Sequence, residues 1–142
     1  MKCIAYKSGY KYQTKKSYTL KIHLTPPADI ITDGVRLNTD GTLWIKEGYA
    51  WDGPSGPTID TPSFMRGSLV HDVLYQLIRK GHLDRKKYRK IADDILREIC
   101  REDGMWVLRA WWVYKAVRWF GDPSADPADE RPLLYAPAGC TP

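Results

Sequence analysis

Cysteine is scarce: only Cys3, Cys100 and Cys140 occur, none in a CxxC pair. That excludes a disulfide framework and a thiol-based zinc or redox motif, so the three are read as ordinary thiols. No stretch approaches the ~20 apolar residues that a membrane span needs. No apolar run follows Met1-Lys2-Cys3-Ile4-Ala5-Tyr6, so a signal peptide is not expected and the expected compartment is the cytoplasm. There is no internal repeat, and no helix-turn-helix, zinc-finger or RNP-like pattern. Without such a pattern the formal charge of +5 does not by itself predict nucleic-acid binding. The charge comes largely from two clusters, Lys7 to Lys16 and Arg79 to Lys90, which attract phosphates or are simply solvated.

What is present fits one globular domain. The 142 residues, 43% hydrophobic and 27% charged, suffice for a single core. Residues 18–24, Tyr18-Thr19-Leu20-Lys21-Ile22-His23-Leu24, alternate apolar and polar as a half-buried strand does, and Pro26-Pro27 stops them. Val35-Arg36-Leu37 and Thr42-Leu43-Trp44-Ile45 flank Asn38-Thr39-Asp40-Gly41, where the Asp-Gly step offers the positive φ of a tight hairpin. Residues 47–63, rich in Gly and Pro, form a loop suited to building a site.

The second half is helical. Met65 to Arg79 places Leu69, Val70, Val73, Leu74, Leu77 and Ile78 at the 3.6-residue period. Asp84 to Arg101 repeats the pattern at Tyr88, Ile91, Ala92, Ile95, Leu96 and Ile99, with Asp84 as N-cap and Gly104 as stop. The short connection predicts an antiparallel pair. Met105 to Phe120 is a third helix, carrying Trp106, Trp111, Trp112, Tyr114, Trp119 and Phe120. These rings cannot all face one way, so part of the surface, rimmed by Lys115 and Arg118, is a candidate protein or membrane contact; the alternatives are that the helix is core or that the tail covers the patch. The prediction is an α+β domain over residues 1–120: an N-terminal β ribbon or small antiparallel sheet packed on the helix pair, plus the aromatic helix. Residues 121–142, with five prolines, form a tail extended against the body or free.

Chemistry concentrates at His71-Asp72-Val73-Leu74-Tyr75. On a helical wheel His71 and Tyr75 are neighbours one turn apart, and Asp72 lies on an adjacent stripe. Asp93 and Asp94 flank the apolar stripe of the next helix on opposite sides, and periodicity does not choose between them. A carboxylate facing His71 would fix its tautomer and stabilise the imidazolium of a general base, with Tyr75 holding that carboxylate. Asp72 and a loop carboxylate, Asp52, offer the hard oxygen ligands of calcium or magnesium. Asp52 is equally a turn residue bonding its own backbone before Gly53. In Gly53-Pro54-Ser55-Gly56-Pro57 a proline stands where a nucleophile elbow needs glycine, so no serine triad is expected. His23 and His82 are read as incidental.

The pattern His-Asp-x-x-Tyr, followed by an Asp on an antiparallel helix near Cys100, resembles the helix pair of secreted phospholipases A₂. That resemblance implies His71 as the base activating water, Asp72 as a calcium ligand, and Asp93 or Asp94 with Tyr75 supporting the histidine. The family's glycine-rich calcium loop and disulfide-linked helices have no counterpart here. A longer likeness runs from about Gly48 to Gly104. The order Tyr49-Ala50-Trp51-Asp52-Gly53-Pro54-Ser55-Gly56-Pro57, then His71-Asp72-Val73-Leu74-Tyr75, then Ala92-Asp93, is similar to DUF1353, a family of small proteins from tailed phages and prophages catalogued as a domain of unknown function. It implies Asp93 over Asp94 and links the Asp52 loop to the helical motif. Two functional expectations follow. One is a phage-encoded, hydrolase-like protein with His71, Asp93 and Tyr75 as its site. The other is a non-enzymatic virion component or inhibitor of a host system, acting in the host cytoplasm or the virion, in which the same residues form a structural polar network.

Overall fold

The computed structural model describes residues 4–6, 12–51, 62–120 and 134–136. The central sheet has four antiparallel strands. Its members are β3 (Tyr18–Lys21), β4 (Ile30–Ile31), β5 (Val35–Leu37) and β6 (Thr42–Ile45), in the order β3-β6-β5-β4. The expected β5–β6 hairpin is present. Gly41, at φ +89°, donates its N–H to Asn38 O, and a Cβ there would overlap the carbonyl oxygen of Ile22. Glycine is thus required both by the turn and by the neighbouring chain. Alternation sends Val35, Leu37, Leu43 and Ile45 inward, while Arg36 stays outside with its guanidinium carbon 5.0 Å from the centre of the Trp44 ring.

Two further ribbons frame the sheet in sequence. β1 (Ile4–Tyr6) pairs antiparallel with β8 (Leu134–Ala136), and β2 (Tyr12–Gln13) with β7 (Ala50–Trp51). The pairing of β8 places a strand in a stretch whose prolines conceal any period-2 signal.

Three helices follow β7: α1 (Pro62–Arg79), α2 (Arg85–Glu102) and α3 (Val107–Phe120). Proline at the first position of α1 lacks only an N–H that would have no partner there. Asp84 caps α2, its side chain accepting from Lys87 N at 2.8 Å. The apolar stripe of α1 (Val70, Val73, Leu74, Leu77) meets that of α2 (Ala92, Ile95, Ile99) and the inner face of the sheet in one continuous core. Each such aliphatic side chain contributes about 1.5–3 kcal/mol when fully buried. A second cluster, Phe64, Leu96, Cys100, Met105, Ala110 and Val113, packs α3 on the other side of α2. Burial pushes the Cys100 thiol up to about 12, so it serves as an apolar filler rather than a nucleophile.

Helices α1 and α2 are in close contact at Gly67, where an added Cβ would sit 2.9 Å from Cys100 Sγ and 3.1 Å from Leu96 Cδ1. Arg66, beside it, joins three elements. Its Nε lies 3.0 Å from Asp103 Oδ2, its Nη2 2.8 Å from Glu102 Oε2 and its Nη1 3.1 Å from the Tyr18 hydroxyl. The close approach at Gly67 sets the helix spacing one turn before His71. Gly67→Val should therefore force the helices apart and cost about 1–3 kcal/mol, as overpacking does. Urea denaturation checks this, and a variant as stable as the parent would refute it.

Candidate functional site

The antiparallel register set by Gly67 brings His71 and Tyr75 of α1 opposite Asp93 of α2. The rings of His71 and Tyr75 are in tilted contact, 4.1 Å between centroids and 38° between planes. His71 Nε2 lies 2.7 Å from Asp93 Oδ1, and the Tyr75 hydroxyl donates to the same oxygen at 2.7 Å. The other oxygen, Oδ2, accepts from Arg118 Nη1 in the last turn of α3 at 2.9 Å. Asp93 is fully buried, whereas the imidazole keeps 14% of its surface exposed.

The electrostatics follow from this geometry. Burial is the largest influence on Asp93 and opposes its ionisation. The bonds from His71, Tyr75 and Arg118 together outweigh it and hold the carboxyl below its usual range. An ionised carboxylate only accepts, so the proton of the His71–Asp93 bond sits on Nε2, and Nδ1 is the basic nitrogen of the neutral ring. Burial first, then the charge of Asp93, raises the Tyr75 hydroxyl above its ordinary value, so it stays a neutral donor.

The remaining candidates are placed elsewhere. Asp94 lies outside the network, 3.2 Å from Lys90 on the solvent side. Asp72 turns to the opposite side of α1 from Asp93: its Oδ2 is 2.8 Å from the Tyr49 hydroxyl, which is also 2.8 Å from Gln76 Oε1. Alongside, Trp51 Nε1 donates to the buried Ser68 hydroxyl at 3.1 Å, so polar contacts also fasten α1 to the end of the β region. Asp52 and Ser55 lie outside the described residues. Among the described residues no group of three or more His, Cys, Asp or Glu could hold a metal ion. His23 lies 3.4 Å from the exposed Glu98, and His82 is exposed in the turn after α1.

Arg118, which the sequence presents as the rim of an aromatic patch, is the further member of this unit. The available signal was chemical: a buried carboxylate with both helical donors on one oxygen needs a third donor for the other. Arg89 fixes Arg118 in turn, its Nη2 reaching Val117 O at 2.9 Å and Arg118 O at 2.8 Å. The outer face of α3 is aromatic and exposed at Trp111, Trp112 and Trp119, and Trp106, just before the helix, is exposed too. No helix among the described residues is long and apolar enough to cross a membrane.

An α+β domain whose three helices close on one buried carboxylate is the class that this architecture defines. The chain belongs to the family described as Protein of unknown function (DUF1353), whose profile matches residues 31–117. The match holds His71, Tyr75 and Asp93 and stops one residue short of Arg118. No curated protein and no solved structure matches the chain.

The charge state of Asp93 gives a stability prediction with a defined sign. Its folded carboxyl titrates below the unfolded value of ~3.9. The stabilisation is therefore complete above that value and is lost as pH falls through the folded one. Asp93→Asn should cost about 3–5 kcal/mol at neutral pH, the penalty for breaking a buried ion pair. The gap between parent and variant should narrow below pH ~4. Denaturant titrations at several pH values test this, and a gap independent of pH would refute it.

Proposed function

We propose that the protein is hydrolase-like and phage-encoded, with the His71 imidazole taking a proton from water. The observation that carries this reading is the 2.7 Å contact of a partly exposed ring with a fully buried, ionised carboxylate. Asp93 keeps the proton on Nε2 and so directs the lone pair of Nδ1 outward from the pair. When Nδ1 takes the proton of a water attacking an electrophilic carbon or phosphorus, Asp93 balances the imidazolium charge. Tyr75 and Arg118 are positioning residues: each holds one carboxylate oxygen and so fixes the plane in which the imidazole can bond. The His-Asp-x-x-Tyr spacing, which resembles that of the phospholipases A₂, supports the base role, and the likeness to tailed-phage proteins supports the origin. Action in the host cytoplasm or the virion belongs to the same proposal.

A calcium or magnesium ion at Asp72 and Asp52 fits less well. Asp72 Oδ2 already accepts from Tyr49, and one carboxylate supplies few of the roughly six to eight oxygens that calcium takes.

A second reading is favoured by a separate observation. Trp111 and Trp112 lie 6.5 Å apart, and Trp112 and Trp119 6.4 Å apart, so α3 presents a continuous exposed aromatic face. Such a face suits a non-enzymatic virion component or an inhibitor of a host system, with the Asp93 unit serving only to hold the helices.

The two readings separate at His71. A screen of esters, lipids and peptides with the parent protein identifies the hydrolysed bond. His71→Ala should then keep the fold, seen by circular dichroism, and lose about 10²-fold or more of that activity, the usual worth of a general base. Undiminished hydrolysis in the variant, or none by the parent, overturns the catalytic reading and leaves the aromatic face as the functional surface.

A further inference from the structure

Of the large hydrophobic side chains exposed among the described residues, all but Ile31 lie on α3 or immediately before it: Trp106, Val107, Leu108, Trp111, Trp112 and Trp119. At about 100° per residue, Leu108, Trp111, Trp112, Lys115 and Trp119 fall within one arc of about 100°. Ala110, Val113 and Val117, which join the second core cluster, lie on the opposite side. The helix is therefore apolar on both sides, and only one of them is buried. An exposed apolar patch of this kind marks a contact with a protein or a membrane.

Charge argues against a second copy of the chain as the occupant. Residues Val107–Phe120 include Arg109, Lys115 and Arg118 and no acid. Arg118 is turned to Asp93 at 2.9 Å, so the charge within the outer arc is that of Lys115, whose Nζ lies 5.7 Å from the centre of the Trp111 ring. Two copies meeting face to face on a two-fold axis would bring these ammonium groups together. Shape argues against a rigid partner. The face of a single helix is convex, and its rings stand at 51° (Trp111 to Trp112) and 86° (Trp112 to Trp119) rather than stacked flat. A protein would need a groove complementary to these ridges, whereas the fluid interface of a bilayer moulds itself round them. Indole suits that interface, with an apolar body and one N–H donor for the headgroup zone. At 14 residues α3 is about 21 Å long, too short to span a bilayer, so it would lie in the plane of the surface.

We infer that the outer face of α3 binds the headgroup zone of an anionic lipid bilayer. Leu108, Trp111, Trp112 and Trp119 enter between the headgroups, and the Lys115 ammonium meets the lipid phosphates. The formal charge of +5 attracts the same surface at longer range. Binding uses α3 and not His71, so it holds with or without catalysis.

Co-sedimentation of the full chain with vesicles of phosphatidylcholine and phosphatidylglycerol in equal parts, at ~0.15 M salt, tests the inference. The parent should partition onto these vesicles and several-fold less onto phosphatidylcholine alone. Lipids brominated on the acyl chain should quench its tryptophan fluorescence, which a purely electrostatic contact would not do. Trp112→Gln with Trp119→Gln, two exposed positions, should weaken partitioning about tenfold or more, because binding scales with the apolar area inserted, and leave the melting temperature unchanged. Lys115→Gln should weaken it about fivefold, the worth of one basic side chain near an anionic surface. Ile31→Gln, at an exposed apolar position on β4, should bind like the parent. Absence of partitioning, or equal partitioning of the Trp112/Trp119 variant, overturns the inference and leaves the face to a protein partner. Equal partitioning onto both kinds of vesicle overturns the anionic assignment. A dimer of the parent in sedimentation equilibrium that is lost in the Trp112/Trp119 variant would assign the face to a second copy and overturn it as well.

Discussion

Taking a carboxylate out of water costs several kcal/mol unless donors replace the lost solvent, and at Asp93 the replacements come from both neighbouring helices. Helix α1 supplies His71 and Tyr75 to one oxygen, and α3 supplies Arg118 to the other. The His71 and Tyr75 bonds are lost if α1 slides by a turn along α2, and the Arg118 bond is lost if α3 fails to fold back. Apolar stripes alone tolerate several packings of similar energy. The buried charge selects one of them, because every alternative strands it.

The rest of the helical layer is arranged around that register. Close approach is possible because position 67 has no side chain, which draws α1 onto Leu96 and Cys100 just before the polar contacts begin. Successive residues of a helix point about 100° apart, so His71 and Asp72 serve different neighbours. His71 faces α2, and Asp72 faces Tyr49 at the end of the β region. One short motif thus fastens α1 on both flanks of its apolar stripe, and the imidazole is left at the edge, partly exposed.

The charge distribution, too, is sorted only at this level. In the sequence, Arg79 to Lys90 is a basic run compatible with plain solvation. In the fold, helical spacing sorts part of that run onto one side of α2 and the end of α3 closes it into a concavity. Arg118 then carries two tasks, compensating Asp93 inward and lining the cavity outward. A buried acid and the surface are coupled through one guanidinium.

Local physics made the helix pair, the Asp84 cap, the Asp40-Gly41 turn and the inward face of the hairpin legible in the sequence, because each depends on residues a few positions apart. The same periodicity brought His71 and Tyr75 together and set Asp72 apart from them. It stopped at Asp93 against Asp94, which flank their stripe symmetrically; the antiparallel register decides between them. Residues joined by long-range closure left no local trace: Arg118 lies 25 positions from Asp93, and β8 pairs with β1 across most of the chain. Helical periodicity alone sorts side chains onto shared helix faces. Which faces meet is set in three dimensions, since that choice depends on satisfying one buried charge and filling one core.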